Sequence, residues 1–152
     1  MNDEIVEELV RQIAALEKRL EYMETVEKSV FSTVTVTGGL TTTRTDRSID
    51  TDGAITVTDC MFVGVDNFED AATDNLDTLT GGVDGQIVIL TARETAEVVT
   101  VRDDSATTGN ICTSGAAARV LERASTGCDM LMLIFSELGS EWHEIGYGAN
   151  AA

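Results

Sequence analysis

The spacing of the apolar residues changes once along this chain, at about residue 30. Before that point they recur at intervals of three and four, as in an amphipathic helix, and after it they alternate with polar residues, as in a β-strand. The chain has 152 residues, which is too few for two independent hydrophobic cores. We therefore expect one helical segment followed by one β-rich domain.

Residues 1–30 are predicted to form a coiled-coil helix. The segment from residue 3 to about residue 29 lacks Gly and Pro and is rich in strong helix formers. Its a and d heptad positions are apolar over three heptads, and they are Val6, Leu9, Ile13, Leu16, Leu20 and Met23. Because this stripe is narrow and the opposite face is charged, we interpret it as an oligomerisation seam. A helix packed on its own domain is the alternative, and the heptads alone do not separate a dimer from a trimer.

Residues 31–53 are predicted to form a Thr-rich neck and residues 54–152 a β head. The stretch Thr37–Asp52 is polar and almost without apolar residues, so it cannot supply a monomeric core. The strand candidates in the head alternate apolar and polar residues or form short apolar runs, and they are Ile55–Thr58, Met61–Val65, Gln86–Leu90, Val98–Arg102, Met130–Phe135 and Trp142–Tyr147. Ala116–Ala124 fits either a helical turn or a strand. Short strands at this spacing predict an antiparallel β-sandwich or barrel.

The charge of the chain limits its partners. It carries 27 acidic and 10 basic residues, for a net charge of −17. Nucleic acids and anionic membranes require an excess of cationic side chains, so we expect neither as a partner. We also expect no membrane insertion, because the longest apolar stretch, Met130–Phe135, is far too short to span a bilayer. The N-terminal Asn2, Asp3 and Glu4 do not resemble a secretory signal. The acid excess, with only two lysines, suits either ordinary solubility or a saline source.

No pattern of residues predicts an active site, so we do not expect an enzyme. His143 is the only histidine, and Cys60, Cys112 and Cys128 are widely spaced, as expected of free, buried thiols rather than a disulfide framework or zinc site. Carboxylates cluster at Asp66, Glu69, Asp70, Asp74 and Asp77, and again at Asp46, Asp50 and Asp52. We interpret both clusters as solvated loops, with a structural Ca²⁺ as the alternative. No metal site or cofactor is otherwise predicted.

One segment resembles structural proteins of tailed phages and related viruses. Residues 76–90, LDTLTGGVDGQIVIL, are similar to an LDTI-GG--GQ segment that opens a trimeric β-rich module in those proteins. Further pieces follow in the same order, namely VTVRD at 99–103, Gly109-Asn110-Ile111, Asp129 with LMLI at 131–134, and Trp142 with Glu144-Ile145. The positions that match the opening motif are Leu76, Asp77, Thr78, Gly81, Gly82, Gly85 and Gln86. The resemblance covers roughly residues 50–147 and implies a homotrimer.

The resemblance implies a protein of the virion surface, made in the host cytoplasm of a bacteriophage or archaeal virus. We expect a capsid decoration protein or short head fibre that binds the major capsid protein and stabilises the lattice as a homotrimer. The alternative is a short tail fibre or tail-tip protein that contacts the host cell surface. A small β-domain hydrolase oligomerised by its helix is a remote third hypothesis.

Overall fold

The computed structural model describes residues 11–18 and 41–150, and the chain divides into two compact units, Met1–Leu40 and Thr41–Ala152. In the first unit, residues 11–18 are helical. Two predicted seam residues lie in this helix, where Ile13 is 54% and Leu16 is 60% exposed. A single helix of this length is not itself a coiled coil. The other seam residues, Val6, Leu9, Leu20 and Met23, lie outside the described part of the chain.

The second unit is built from short β-strands, which confirms the prediction of a mainly β protein. Its strands are β1 (Arg44–Ser48), β2 (Ala54–Thr56), β3 (Phe62–Asp66), β4 (Thr73–Leu76), β5 (Thr78–Thr80), β6 (Ile87–Ala92), β7 (Val98–Val101), β8 (Ile111–Cys112), β9 (Arg119–Glu122), β10 (Met130–Ser136) and β11 (Glu141–Gly148). Three sheets result. The largest has the order β1-β3-β6-β10-β11-β8, and the smaller ones are β4-β7-β9 and β2-β5.

The first part of this unit winds around its core instead of folding into hairpins. β3 and β6 are parallel neighbours, and between them the chain runs through β4 and β5, which belong to the two smaller sheets. Parallel strands need a crossover connection, which is usually a helix, and here the strands of the other sheets provide it. The same offset recurs where Ala54 pairs with Thr78, 24 residues on, and Thr73 with Val98, 25 residues on.

The prediction of an antiparallel head is therefore wrong, because the sheets are mixed. β1 with β3, β3 with β6, β4 with β7, β2 with β5 and β8 with β11 are all parallel pairs. Antiparallel pairing joins β6 to β10, β10 to β11 and β7 to β9. Strand spacing alone predicted hairpins, but consecutive strands in the first half of the unit lie in different sheets, so their nearest partners are one winding away.

All three sheets bury one face against a common core. The inward-facing residues alternate along the strands, as β-strand geometry requires. They include Val88, Leu90, Leu131 and Leu133 of the large sheet, Val99 and Leu121 of the second, and Ile55 and Leu79 of the third. Trp142, on β11, is the largest fully buried side chain. This shared core fixes the loops and sheet edges discussed below.

Strand β1 lies in the segment that the sequence analysis assigned to the neck, residues 31–53. It pairs with β3 from Arg44 opposite Phe62 to Ser48 opposite Asp66, and the residue that follows it, Ile49, is 1% exposed. The compact β unit thus begins at Thr41. The strand is polar because it lies at the edge of the sheet and contributes no fully buried side chain of its own, so its composition gave no apolar alternation.

Candidate functional site

The residues that carry the viral resemblance meet around the backbone of Leu79 on β5. The N–H of Leu79 donates to Oδ1 of Asn110 at 3.0 Å, and Nδ2 of Asn110 donates to the Leu79 carbonyl at 2.9 Å. The indole Nε1–H of Trp142 donates to the same carbonyl at 3.2 Å. The Asn110 carbonyl in turn accepts from the Trp142 N–H at 2.8 Å. Three segments that are distant in sequence therefore form one hydrogen-bonded centre.

Asp77, the second residue of the motif, ties this centre to two neighbours. Its carboxylate forms a two-point ion pair with Arg102, whose Nε lies 2.6 Å from Oδ1. The same ion pair raises the pKa of Arg102. The Asp77 carbonyl accepts from the Asn110 N–H at 3.2 Å, and a Cβ on Gly109 would lie 1.9 Å from it. Position 109 can therefore hold only glycine, because no larger residue fits against that carbonyl.

The Gly-Gly and Gly-Gln parts of the motif form a turn that is bound to the core. A Cβ on Gly82 would lie 2.7 Å from the Phe135 ring and 2.8 Å from the Trp142 ring. The Gln86 amide donates to the carbonyls of Val57 at 2.9 Å and Cys60 at 3.2 Å.

The remaining motif positions fill backbone roles: Leu76 is fully buried, Thr78 donates its N–H to the Gly53 carbonyl, Gly81 has φ +84°, and Gly85 donates to the Phe135 carbonyl. Together these contacts identify the motif as a folding element of the head.

The outer side of the large sheet presents an apolar surface, which we call the apolar sheet face. It consists of Phe62, Ile87, Ile89, Met130, Met132 and Ile134, whose neighbours along each strand point into the core. Phe62, Ile89 and Met132 lie opposite one another across three strands, and Ile87 lies opposite Ile134. Ile87, Met130 and Met132 are 37–40% exposed. The sequence indicated these strands, but their direction and order, which assemble the face, follow only from the fold.

No acidic side chain belongs to the apolar sheet face, although the chain has 27 of them. Its cross-strand rows end in Arg44 on β1, opposite Phe62, and in His143 on β11, opposite Ile134. Exposed contiguous apolar surface on a soluble protein marks a surface for binding another macromolecule. On this strongly acidic chain, it is also where a second copy can approach without contact between like charges.

The sole histidine and one cysteine come together with two carboxylates at the β8–β11 edge of the large sheet. The Cys112 thiol lies 3.4 Å from Asp104 Oδ2 and 3.4 Å from Glu141 Oε2, and His143 Nε2 lies 3.7 Å from the same Glu141 oxygen. Burial, followed by the two carboxylates, raises the pKa of Cys112 to about 12. The group is therefore a protonated thiol that donates to carboxylates, which is the opposite of an activated nucleophile.

All three cysteines are free, as the sequence predicted. Cys60 is buried, whereas Cys112 and Cys128 are only partly buried, which corrects the expectation of three buried thiols.

Most members of the two predicted acidic clusters bind groups of the protein itself. Asp74 accepts from the Phe68 N–H at 2.9 Å, and Asp50 accepts from the N–H groups of Asp52 and Ala54 at 2.9 Å each. Asp46 pairs with Arg44 at 2.8 Å. The two predicted clusters therefore do not persist in space, except for one pair of residues.

Asp66 and Asp70 remain together, and a third acid joins them from a distant part of the sequence. One carboxylate oxygen each of Asp66, Asp70 and Glu97 lies within 4.8 Å of the others. Burial and the neighbouring Asp66 carboxylate raise the pKa of Glu97 to about 6. Sequence analysis missed Glu97 because it precedes β7 on the next winding, about 30 residues along the chain.

Comparison with models of protein families, with curated proteins and with solved structures finds no match. Among the described residues, no helix is long and apolar enough to cross a membrane. The function proposed below therefore rests on the sequence resemblance and on the geometry of the β unit.

Proposed function

We propose that this protein is a structural component of a virion surface, a capsid decoration protein or short head fibre that binds the capsid lattice as a homotrimer. The observation that carries the proposal is the convergence of the resemblance at Leu79. Three pieces of the viral pattern, the opening motif, Gly109-Asn110 and Trp142, form one hydrogen-bonded centre. A chance similarity in sequence gives no reason for these separate pieces to meet in space.

The apolar sheet face supports the oligomeric part of the proposal. Packing between identical chains would bury Ile87, Met130 and Met132, which are otherwise partly exposed to water. Burial of apolar surface stabilises an assembly by about 25 cal/mol per Å². The exposed Ile13 and Leu16 of the helix offer a second apolar surface, in line with the heptad seam. We propose that the seam forms a three-stranded coiled coil and that the trimer shares both surfaces.

Light scattering on the purified chain tests the assembly. We expect the mass of a trimer, and we expect Met132→Glu, which places a charge in the apolar sheet face, to weaken it. Leu138→Glu is the matched control, because Leu138 is fully exposed and lies in the turn after β10. A wild-type monomer, in dilute buffer and in molar salt alike, would contradict the homotrimer.

Analysis of virus particles tests the location. Particles produced by cells that carry this gene are purified by density gradient, and their proteins are quantified by mass spectrometry. A decoration protein should sediment with the major capsid protein at hundreds of copies per particle. A few copies per particle would instead indicate a tail fibre that contacts the host surface. A protein that remains wholly in the soluble fraction while particles form would contradict a virion role.

A further inference from the structure

The three clustered carboxylates come from two windings of the chain. Asp66 ends β3, Asp70 ends the 3₁₀ turn that follows, and Glu97 immediately precedes β7. One oxygen of each lies within 4.8 Å of the other two. Two oxygens bound to one Ca²⁺ at about 2.4 Å are at most about 4.8 Å apart. The spacing of the three oxygens therefore fits coordination of a single ion.

Two of these carboxylates contain a buried oxygen with no hydrogen-bond partner. Asp66 is 7% and Glu97 is 8% exposed, and Oδ1 of Asp66 and Oε2 of Glu97 are both buried and unpaired. A buried carboxylate oxygen without a donor or a cation is strongly unfavourable, and native proteins contain few such atoms. This observation is independent of the clustering and indicates that a positively charged group belongs between them.

The protein supplies a donor to only one side of the site. Oδ2 of Asp66 accepts from Ser48 Oγ at 2.8 Å and from Arg93 Nη1 at 2.5 Å. Arg93 is also shared with Asp46 at 3.7 Å and Glu94 at 3.6 Å, so its single charge does not neutralise the site. Three carboxylates against one guanidinium leave a charge of −2, which one divalent cation balances.

The donor set selects the kind of ion. All three side chains offer oxygen, which hard cations such as Ca²⁺ prefer, and none offers sulfur or imidazole nitrogen. Ca²⁺ takes six to eight ligands in irregular geometry, so further oxygens are needed. Oδ1 of the adjacent Asn67 is also buried and unpaired, and Asp70 is exposed, so water can reach the site from its side.

We propose that Asp66, Asp70 and Glu97 bind one Ca²⁺ ion, which links the loop after β3 to the start of β7. The proposal concerns the β unit alone and does not depend on the viral function. Asn67 Nδ2 donates to the Ala71 carbonyl at 2.8 Å, so the turn that carries Asp70 is already held in place. The ion completes this link by joining it to the next winding.

Calorimetry on the full chain, stripped with EDTA and then dialysed, tests the site. Titration with CaCl₂ should show one ion bound per chain. At about 100 times its Kd, Ca²⁺ should raise the melting temperature by roughly 10 °C. Mg²⁺ should raise it less, because it requires near-octahedral geometry and dehydrates reluctantly. The absence of both binding heat and a thermal shift would overturn the proposal and indicate that Asp66 and Glu97 share a proton instead.

Two variants and a control separate ion binding from general effects of charge. Glu97→Gln should abolish the thermal response to Ca²⁺ while melting in EDTA at or above the wild-type temperature, since its amide can donate to Oδ1 of Asp66. Asp70→Asn alters an exposed residue, should leave the fold intact, and should weaken Ca²⁺ binding at least tenfold. Glu137→Gln removes one charge from an exposed turn and should respond as the wild type does. A wild-type response in both Glu97→Gln and Asp70→Asn would refute the site.

Discussion

Asn110 binds both backbone groups of Leu79, accepting from its N–H at 3.0 Å and donating to its carbonyl at 2.9 Å. A side-chain amide is the smallest group that can satisfy a donor and an acceptor of one residue at once. In β5, where the pairing with β2 occupies only one edge of the strand, Asn110 acts as the next strand would. The asparagine thus closes a sheet edge beside the fully buried Trp142.

We expect Asn110→Ala to lower the free energy of unfolding by about 2–3 kcal/mol, because it leaves the Leu79 N–H, in a fully buried residue, without its acceptor. Asn75→Ala, at an exposed position on β4, is the control and should change stability by less than about 0.5 kcal/mol. Urea unfolding followed by circular dichroism measures both. Equal midpoints for the two variants would show that the Leu79 centre contributes little.

Gly82→Ala should destabilise the protein by about 1–3 kcal/mol, since the added methyl group overlaps the rings of Phe135 and Trp142. These rings are tilted against each other with centroids 5.1 Å apart, so the overlap should also alter the near-ultraviolet circular dichroism of Trp142. Gly146→Ala is the control, because a methyl group there meets no atom within 4 Å. A Gly82→Ala protein as stable as Gly146→Ala would contradict the packing described.

Leu16→Asp should reduce the oligomeric state or its affinity if the seam joins the chains, because it places a carboxylate in each copy of the apolar stripe. Ala15→Asp makes the same change in charge one residue away, outside the a and d positions, and should leave the assembly intact. Light scattering over a dilution series compares the two. A Leu16→Asp protein that stays fully assembled would show that the β unit alone holds the oligomer.

Asp103 should make the stability depend on pH in strong acid. Hydrogen bonds from Ser105, and then those from Thr113, hold the pKa of this buried carboxyl far below its usual range, against the effect of burial. Because the folded-state pKa is depressed, the stabilisation is present above the unfolded value of about 4 and is lost as pH falls below it. It amounts to about 3 kcal/mol.

Asp103→Asn should therefore be less stable than the wild type at neutral pH and should show a shallower loss of stability below about pH 4. Asp52→Asn, in the exposed turn before β2, should keep the wild-type slope. Urea midpoints measured from pH 6 to pH 2 give both slopes. Identical slopes for the wild type and Asp103→Asn would contradict the hydrogen-bonded carboxylate.

Cys112 should react with N-ethylmaleimide at pH 8 at least about 100-fold more slowly than Cys128. Its pKa of about 12 leaves almost no thiolate at that pH, and the thiolate is the reactive species. Glu141→Gln should accelerate the reaction, because it removes one of the neighbouring charges. Labelling in urea, where all three cysteines should react alike, is the control. Equal rates in the native protein would contradict the carboxylate surroundings of Cys112.

The sequence allowed the strands with strong alternation to be predicted. In β6 and β10, the buried Val88, Leu90, Leu131 and Leu133 alternate with more exposed residues, and both strands were located from this pattern. β1 and β4 escaped because their residues are mostly polar and only Leu76 of the two strands is buried. β5 and β8 are too short for alternation to be recognised, since they have three and two residues.

Strand direction and the acidic site could not be predicted, because both depend on contacts between windings. The pairing of Phe62 with Ile89 sets β3 parallel to β6, yet nothing in either local segment encodes that choice. Glu97 lies near Asp66 only because β4 and β5 return the chain to the same end of the large sheet. The Leu79 centre was approached more closely, since its segments were identified in the right order, although not as direct partners.

The hydrogen bond from the Trp142 indole to Leu79 joins residues 63 positions apart and places a restriction on protein synthesis. A nascent chain that ends before Trp142 has made every strand of the two smaller sheets but lacks the indole that covers β5. The core at Leu79 therefore remains open to water until β11 has left the ribosome, and contacts this distant form slowly. Nonsense mutations in the last codons before Trp142 should yield unfolded protein that cellular proteases degrade, rather than a shortened functional head.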